Sequence, residues 1–373
     1  MTEERDIAGF VLPFTLGLAL TTLIQHVGHD LSFPLRSISL ILTFICLHTL
    51  TFKSDKTLNV KTLWTAVITL GLCCGVLCCE IVPYHFTSIS EEKTWISELA
   101  SDFCQKIKSE IADIPFENSR TNAIATTLIT GDRSSLQTDT VEAFRLSGAS
   151  HILALSGMHL GIIYGLLKIL LQGLGNSHNS KIIKSGLVII CCGFYALSTG
   201  AGASIVRAFI FIMMTEAASV SGRRNSLKTI MFSSLLIQLI LTPGEIENVG
   251  FQLSYAAIAG IAYIYPWLKK FWPNDKKNEG WTIKSLKWTW NCASLSIACQ
   301  ITTAPIAFAY FGTFPKYFLI TNLIALPLTT LIIQTSLLTL VLSAGEICPN
   351  IVIRTTEALI EALIYCLTII SSL

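Results

Sequence analysis

Long apolar runs recur along almost the whole chain, and most are long enough to cross a lipid bilayer. A membrane-spanning helix needs roughly 20 consecutive apolar residues and satisfies all of its backbone hydrogen bonds internally. Such runs lie near residues 8–27, 32–52, 62–82, 151–172, 184–200, 203–221, 228–242, 250–268, 288–311, 317–343 and 351–371. The sequence therefore predicts an all-α fold, a polytopic membrane helical bundle of about 11 transmembrane segments. The short run at 228–242 and the run interrupted by Pro327 can instead be broken or re-entrant segments.

The composition supports a membrane bundle, because 52% of the residues are apolar and only 13% are charged. Soluble domains carry about 25% charged residues. The one sizeable polar stretch covers residues 83–150, and within it apolar residues recur at helical spacing. They are Trp95, Ile96, Leu99, Phe103, Ile107 and Ile111. We expect an amphipathic helix that lies on the membrane surface or on its own bundle, with a dimerisation helix as the alternative.

The basic residues indicate how the chain is oriented, since cytoplasmic loops carry an excess of lysine and arginine. With a cytoplasmic N-terminus, most basic residues of the connecting turns are cytoplasmic. They are Lys53, Lys56, Lys61, Lys181, Lys184, Arg223, Arg224, Lys228, Lys269, Lys270, Lys276, Lys277, Lys284 and Lys287. We therefore expect N-terminal transmembrane helices at 1–82, an extracytoplasmic helical segment at 83–150 and a second membrane domain at 151–373.

The stretch from Phe144 to Gly165 begins polar and ends as an apolar helix suited to a membrane. His151, Ser156 and His159 lie where lipid tolerates polar groups only beside protein or water. Ser156 and His159 are three residues apart, so they share one face of a helix. We interpret this helix as one that lines a path or cavity.

Glycines repeat at every fourth position along the same helix, at Gly157, Gly161 and Gly165. A stripe of this kind leaves a smooth groove that allows a second helix to approach closely. The sequence therefore predicts helix packing along these three residues.

Three further polar residues lie in apolar runs. Arg207 costs several kcal/mol against lipid, so it is expected to face the interior or water, with snorkelling to the outer interface as the alternative. Gln252 is suited equally to a hydrogen bond between helices and to a pore wall. Asn322, between Pro305 and Pro327, marks a kinked polar site.

The chain lacks the sequence signatures of several enzyme classes. It contains no Walker A loop, no HExxH motif and no GxSxG motif, so no enzymatic activity is expected. The cysteine pairs at Cys73–Cys74 and Cys78–Cys79 do not have zinc-ligand spacing and favour packing, so we expect no metal and no cofactor. A hydrolase dyad of Ser156 and His159 has poor geometry on one helix and no acid to orient the histidine.

The run from His151 to Gly161, HILALSGMHLG, resembles the signature of the ComEC-type DNA internalisation channel. Three more blocks occur in the same order as in that family. They are residues 123–132 followed by Phe144, residues 204–208, and residues 250–256 followed by Pro305, Asn322 and Pro327. The resemblance covers roughly residues 115–343 and concerns only the membrane-embedded competence domain of the family.

The resemblance implies a channel in the bacterial cytoplasmic membrane that moves single-stranded DNA inward during natural transformation. It implies membrane lipids, a DNA receptor and a separate cytoplasmic ATPase or helicase as partners, with homo-oligomerisation left open. The matching residues carried over are His151, Ser156, His159, Arg207 and Gln252. Many family members add an OB-fold domain and a metallo-β-lactamase-like domain, and no HxHxDH cluster of the latter occurs in this sequence.

DNA phosphates need a basic or polar lining, and Arg120, Arg133, Arg145, His151 and Arg207 are candidates for an outer funnel. Between Ile81 and Ser150, however, ten acidic residues face six basic ones, which opposes a uniformly basic entrance. The alternative hypothesis is a transporter or flippase for another anionic solute or a lipid-linked polymer. A third hypothesis is an intramembrane hydrolase that uses Ser156 and His159.

Overall fold

The computed structural model describes residues 2–26, 38–39, 41–43, 60–81, 95–175, 177–222, 226–272, 280–312 and 317–372. Regular structure in these ranges is helical throughout, with no strand among them. The expected span at 32–52 and several of the basic turns, including Lys53, Arg223 and Lys276, lie wholly or mostly outside the described residues.

The helices are numbered in chain order, and short 3₁₀ turns follow α7 and α10. The helices are α1 Thr2–His26, α2 Val60–Ile81, α3 Trp95–Asp113, α4 Ser119–Thr130, α5 Thr138–Leu146, α6 Ser150–Leu153, α7 Gly157–Leu170, α8 His178–Ser198, α9 Ala203–Val220, α10 Leu227–Leu241, α11 Val249–Ala259, α12 Tyr265–Lys269, α13 Trp281–Phe311, α14 Phe318–Ala344 and α15 Asn350–Ser371. One π turn, Gly260–Ile264, joins α11 to α12.

Five described helical stretches are long and apolar enough to cross a membrane, which makes this a membrane protein. They are Gly157–Leu174, His178–Ser198, Ala203–Val220, Trp281–Phe311 and Phe318–Ala344. Shorter apolar helices lie at Ile7–Leu23, Thr65–Cys78 and Leu227–Leu241. The predicted all-α class is confirmed, whereas the count of about 11 spans is not. The last expected span, at 351–371, is helical but carries Arg354, Glu357 and Glu361.

The chain divides into two compact units, the first formed by Met1–Glu92 with Ala217–Tyr255. Its core contains Phe14 and Leu18 of α1 with Leu239 and Phe251. Helices α1 and α2 approach closely at glycine, because a Cβ on Gly17 would collide with the backbone carbonyl of Leu72. Small residues at such contacts bring apolar helices together without a side chain between them.

The second unit comprises Lys93–Glu216 with Ala256–Leu373. Its larger core joins the polar segment to the last two helices, through residues such as Ile124, Phe144, Ile333 and Leu363. A second cluster joins α7, α8 and α9 through Leu160, Val188, Cys192 and Ile205. These three helices carry most of the candidate site.

Helix α3 presents two apolar faces. Ala100, Cys104 and Ile111 are buried against the rest of the second unit, whereas Trp95 and Leu99 are exposed. The ring of Phe103 lies 5.2 Å from that of Phe194, near the C-terminal end of α8. The predicted stripe of apolar residues is therefore covered only in its C-terminal half within the described chain.

Candidate functional site

The predicted span at 151–172 is interrupted just before α7. Helix α6 ends at Leu153, Ala154 and Ser156 are extended, and α7 begins at Gly157. Ser156 is the N-cap of α7, and its Oγ accepts a hydrogen bond from the backbone N–H of Met158 at 3.3 Å. The boundary predicted at His151 is therefore wrong by six residues, because a polar cap starts a new helix inside the apolar run.

Ser156 and His159 form a reciprocal capping box, with histidine in the place usually taken by glutamate or glutamine. The backbone N–H of Ser156 donates to Nδ1 of His159 at 3.2 Å. The predicted shared face of the two residues is thus explained by local helix chemistry.

The capping box also defines the tautomer of His159. Because Nδ1 accepts from a backbone N–H, the proton of the neutral ring resides on Nε2. His159 is 1% exposed, and its Nε2 is buried with no hydrogen-bond partner among the described residues. A buried donor of this kind requires an acceptor, such as an ordered water or a ligand oxygen.

The same geometry opposes the hydrolase hypothesis. Ser156 Oγ lies 3.1 Å from Nδ1 of His159, but the lone pair of Nδ1 is already occupied by the backbone N–H. A general base must take the serine proton with a free nitrogen lone pair. This pair therefore caps the start of α7, and its geometry disfavours activation of Ser156 as a nucleophile.

Arg207 is buried in the second turn of α9, with only 5% of its surface exposed. Burial within protein favours the interior placement over snorkelling to an interface. Gly157 of α7 lies beside Ala208, the residue that follows Arg207, since a Cβ placed on Gly157 would come 3.3 Å from the Cβ of Ala208. Helices α7 and α9 are therefore in contact at their N-terminal ends.

The glycine stripe of α7 is only partly covered. A Cβ placed at Gly161 or Gly165 would meet no described atom within 4 Å. Close packing is seen at Gly157 alone, so packing along the other two glycines stays a prediction.

Three other predicted residues lie on α5, α6 and α14. His151 is exposed on α6, and Arg145 is exposed and paired with Glu142 one turn earlier, at 2.6 Å. Oδ1 of Asn322, on α14, is buried with no hydrogen-bond partner among the described residues. No channel-lining role is tested by these positions.

Gln252 belongs to the first unit and is engaged locally. Its Nε2 donates to the backbone oxygen of Ile246 at 2.8 Å, which ties α11 to the preceding 3₁₀ turn. Of the two alternatives from the sequence, neither matches this contact, because the acceptor is the backbone of an adjacent turn. A pore-lining role for Gln252 stays a prediction.

A buried ionic cluster between α7, α8 and α9 was missed by the sequence analysis. The Glu216 carboxylate, 1% exposed, lies 2.9 Å from Nζ of Lys168. It also accepts hydrogen bonds from Tyr164 Oη at 2.7 Å and Ser185 Oγ at 2.6 Å. The sequence contained a signal for this pair, because Lys168 and Glu216 each lie inside an apolar run and charged residues inside spans usually pair with one another.

Helices α7 and α9 run parallel to each other. Gly157 lies beside Ala208 near their N-terminal ends, and the Lys168–Glu216 ionic cluster lies near their C-terminal ends. His159 precedes Lys168 by nine residues, and Arg207 precedes Glu216 by nine. Nine residues rise about 13 Å and rotate by two and a half turns. Each helix therefore carries one polar residue near each end, on opposite faces.

Within the described residues, no group of three or more His, Cys, Asp or Glu side chains is arranged to hold a metal ion.

Comparison with known proteins agrees with the signature stretch that begins at His151. The chain is 30% identical to ComE operon protein 3 of Bacillus subtilis (strain 168) over 133 residues, which are 36% of this chain and 17% of that protein. It is 26% identical to the uncharacterized protein YcaI of Escherichia coli (strain K12) over 219 residues, 57% of this chain and 28% of that protein. The chain thus spans less than a third of either relative.

No solved structure matches the chain. The family model described as Competence protein matches residues 128–373, which are 246 of the 373 residues. The matched range includes α7, α8 and α9, with His159, Arg207 and the Lys168–Glu216 pair. Because that match covers more than half of the chain, this protein belongs to the competence protein family, of the ComEC type that its signature stretch resembles.

Proposed function

We propose that this chain forms part of the path by which single-stranded DNA crosses the bacterial cytoplasmic membrane during natural transformation. The observation that carries the proposal is the family match, which includes the helices with buried polar groups near both ends. The name ComE operon protein 3 is consistent with a role in competence.

The chemistry at the N-terminal ends of α7 and α9 suits a polyanion. Arg207 supplies a permanent positive charge inside the second unit, and His159 supplies a neutral N–H donor. Phosphate oxygens accept hydrogen bonds from both kinds of group. We place His151 and Asn322 in the same path as further polar contacts.

Transport of DNA consumes energy, and the sequence contains no Walker A loop. We therefore propose that a separate cytoplasmic ATPase or helicase drives the strand, with a DNA receptor delivering it. The N-terminus is cytoplasmic in this scheme, and segment 83–150 faces the incoming DNA.

Uptake of fluorescent single-stranded DNA into vesicles that contain the full chain tests the proposal. Arg207→Ala and His159→Ala are expected to reduce uptake at least tenfold, while Arg354→Ala, an exposed arginine on α15, serves as the matched control. Unchanged DNA uptake by cells after clean deletion of the gene would contradict the proposal. Flux of small anions that DNA does not inhibit would favour the transporter alternative.

A further inference from the structure

A cavity of about 380 Å³ lies in the second unit, outside the five candidate spans. This volume is within the range of ligand pockets, about 300–1,000 Å³. The walls come from α3, from α4 and from the turn between α4 and α5. Its lining includes Lys108, Arg120, Asn122, Thr126, Asp132 and Gln137.

Arg120 is held in a fixed position within this pocket. Its Nε donates to Oγ1 of Thr140 at 2.7 Å, and Thr140 is fully buried. The two terminal nitrogens make no hydrogen bond within the described part of the chain. A guanidinium anchored through Nε presents a planar fork that matches two oxygens of a phosphate group.

Lys108 and Asp132 line the same pocket and form an ion pair with each other. Lys108 Nζ lies 2.7 Å from Oδ2 of Asp132, and the hydrogen bond from Lys108 lowers the pKa of that carboxyl well below its usual range. Asp132 Oδ1 accepts from the backbone N–H of Ser134 at 2.9 Å. The carboxylate is therefore ionised and committed to these partners.

The charge of the lining selects the class of ligand. Lys108 and Arg120 contribute two positive charges and Asp132 one negative charge, so the ionised lining sums to +1. The other lining residues are neutral, and most of them are hydroxyls or amides. A singly charged phosphodiester matches this balance better than a free phosphate, which carries about 1.5 negative charges at neutral pH.

Resting on the function proposed above, we propose that this pocket binds one phosphodiester group of single-stranded DNA, with Arg120 as the principal contact. Lys108 adds a second cationic donor from α3, and the hydroxyls of Ser119, Thr126 and Ser135 are suited to the adjoining sugar. Thr140 is a positioning residue that acts through Arg120.

The geometry of α3 favours DNA over a lipid headgroup. The exposed apolar residues of α3 include Trp95, Leu99 and Phe103. Lys108 follows Phe103 by five residues, which places it about 140° further around the helix. The face suited to lipid therefore points away from the pocket.

The acidic surroundings define how binding responds to salt. Segment 83–150 is net acidic, so its long-range field repels DNA, and only the local contact favours binding. Contact with one phosphate of a single strand gives a slope of about −0.7 in log K against log salt. Loss of the Arg120 contact is expected to flatten the measured slope by about that amount.

The test measures binding of fluorescent oligothymidylate to the full chain in nanodiscs of neutral phosphatidylcholine. Arg120→Gln is expected to weaken binding about tenfold, and Arg120→Lys less, because lysine keeps the charge without the fork. Thr140→Val is expected to weaken binding partway. Arg354→Gln is the control for loss of an exposed arginine and should bind as the wild type does.

A methylphosphonate oligonucleotide, which lacks the charge, separates phosphodiester recognition from base stacking. It should bind weakly and respond little to Arg120→Gln. Equal affinity of the wild type, Arg120→Gln and Arg120→Lys for the charged oligonucleotide overturns the proposal. Displacement of the oligonucleotide by anionic lipid but not by inorganic phosphate overturns it in favour of a lipid site. Circular dichroism and thermal unfolding show whether each variant is folded, and Arg120→Lys keeps the test valid if Arg120→Gln is not.

The outcomes also separate the pocket from the transport function. If deletion of the gene abolishes DNA uptake while the Arg120 variants bind normally, the pocket proposal alone fails. If deletion leaves uptake unchanged, the transport function fails regardless of oligonucleotide binding.

Discussion

Lys168 of α7 and Glu216 of α9 form an ion pair at 2.9 Å in which the acid is almost completely buried and the lysine is 41% exposed. The asymmetry matters because a buried charge that loses its partner is costly, whereas a half-exposed charge can still be solvated. The two residues are therefore expected to respond differently to substitution.

Lys168→Met should destabilise the protein by about 3–5 kcal/mol, since it leaves the Glu216 carboxylate buried without a cation. Glu216→Gln should cost less, because glutamine keeps hydrogen bonds to Tyr164 and Ser185. Thermal unfolding in detergent ranks the two variants. A larger loss of stability for Glu216→Gln than for Lys168→Met would show instead that the Lys168 ammonium group is the charge that cannot be solvated without its partner.

Ser156→Ala should destabilise the start of α7 by about 1 kcal/mol, as expected for loss of an N-cap. Ser156→Thr keeps the oxygen and should be nearly neutral. Hydrogen exchange at the amide of Met158, which donates to Ser156 Oγ, measures the effect locally. Reaction of Ser156 with a fluorophosphonate would contradict the capping role and revive the hydrolase hypothesis.

Two glycines offer a matched comparison of helix contacts. Gly17→Ala should be destabilising by about 1–3 kcal/mol, because its Cβ would collide with the carbonyl of Leu72. Gly161→Ala should be neutral or stabilising by up to about 1 kcal/mol, since the described chain leaves that site open and alanine favours helix. Thermal unfolding compares them. Loss of oligomers in Gly161→Ala, seen by crosslinking, would instead show that the glycine stripe packs against a second copy.

The pair of Lys108 and Asp132 predicts a pH dependence outside the membrane. The pKa of Asp132 is lowered in the folded chain, so the pair contributes stability above the unfolded pKa of about 3.9. That contribution declines as the pH falls through the lowered folded value.

Both groups of this pair are partly exposed, so the effect should be about 1 kcal/mol or less. Unfolding of wild type and Asp132→Asn between pH 3 and pH 7 measures it, and the difference between them should shrink toward the acidic end. A constant difference across that range would show that the carboxylate charge is not what stabilises the turn.

The sequence predicted best what depends on composition and short spacing. The apolar runs gave the helical class and several spans, and the spacing of Ser156 and His159 correctly placed the two side chains together. It also led to a continuous helix from His151, because the hydropathy of the run does not show that Ser156 caps a new one.

Contacts distant in the sequence were not predictable in the same way. Glu216 is paired with a lysine 48 residues earlier, and nothing in the spacing of either run fixes that partnership. Arg120 was predicted as a funnel residue, but its anchoring by Thr140 depends on how α4 and α5 pack. The count of about 11 spans stays unconfirmed: the run at 32–52 lies mostly outside the described residues, the runs at 8–27, 62–82 and 228–242 contain shorter apolar helices, and 351–371 carries three charges.

The uncovered half of α3 has a consequence for purification. The ring of Phe103 packs against Phe194 near the end of candidate span α8, whereas Trp95 and Leu99, earlier on α3, are exposed apolar side chains. We expect a detergent that forms small micelles to leave these two side chains in water, and one that forms larger micelles to cover them. We therefore expect the choice of detergent to affect how the first turns of α3 behave in any assay of the purified protein.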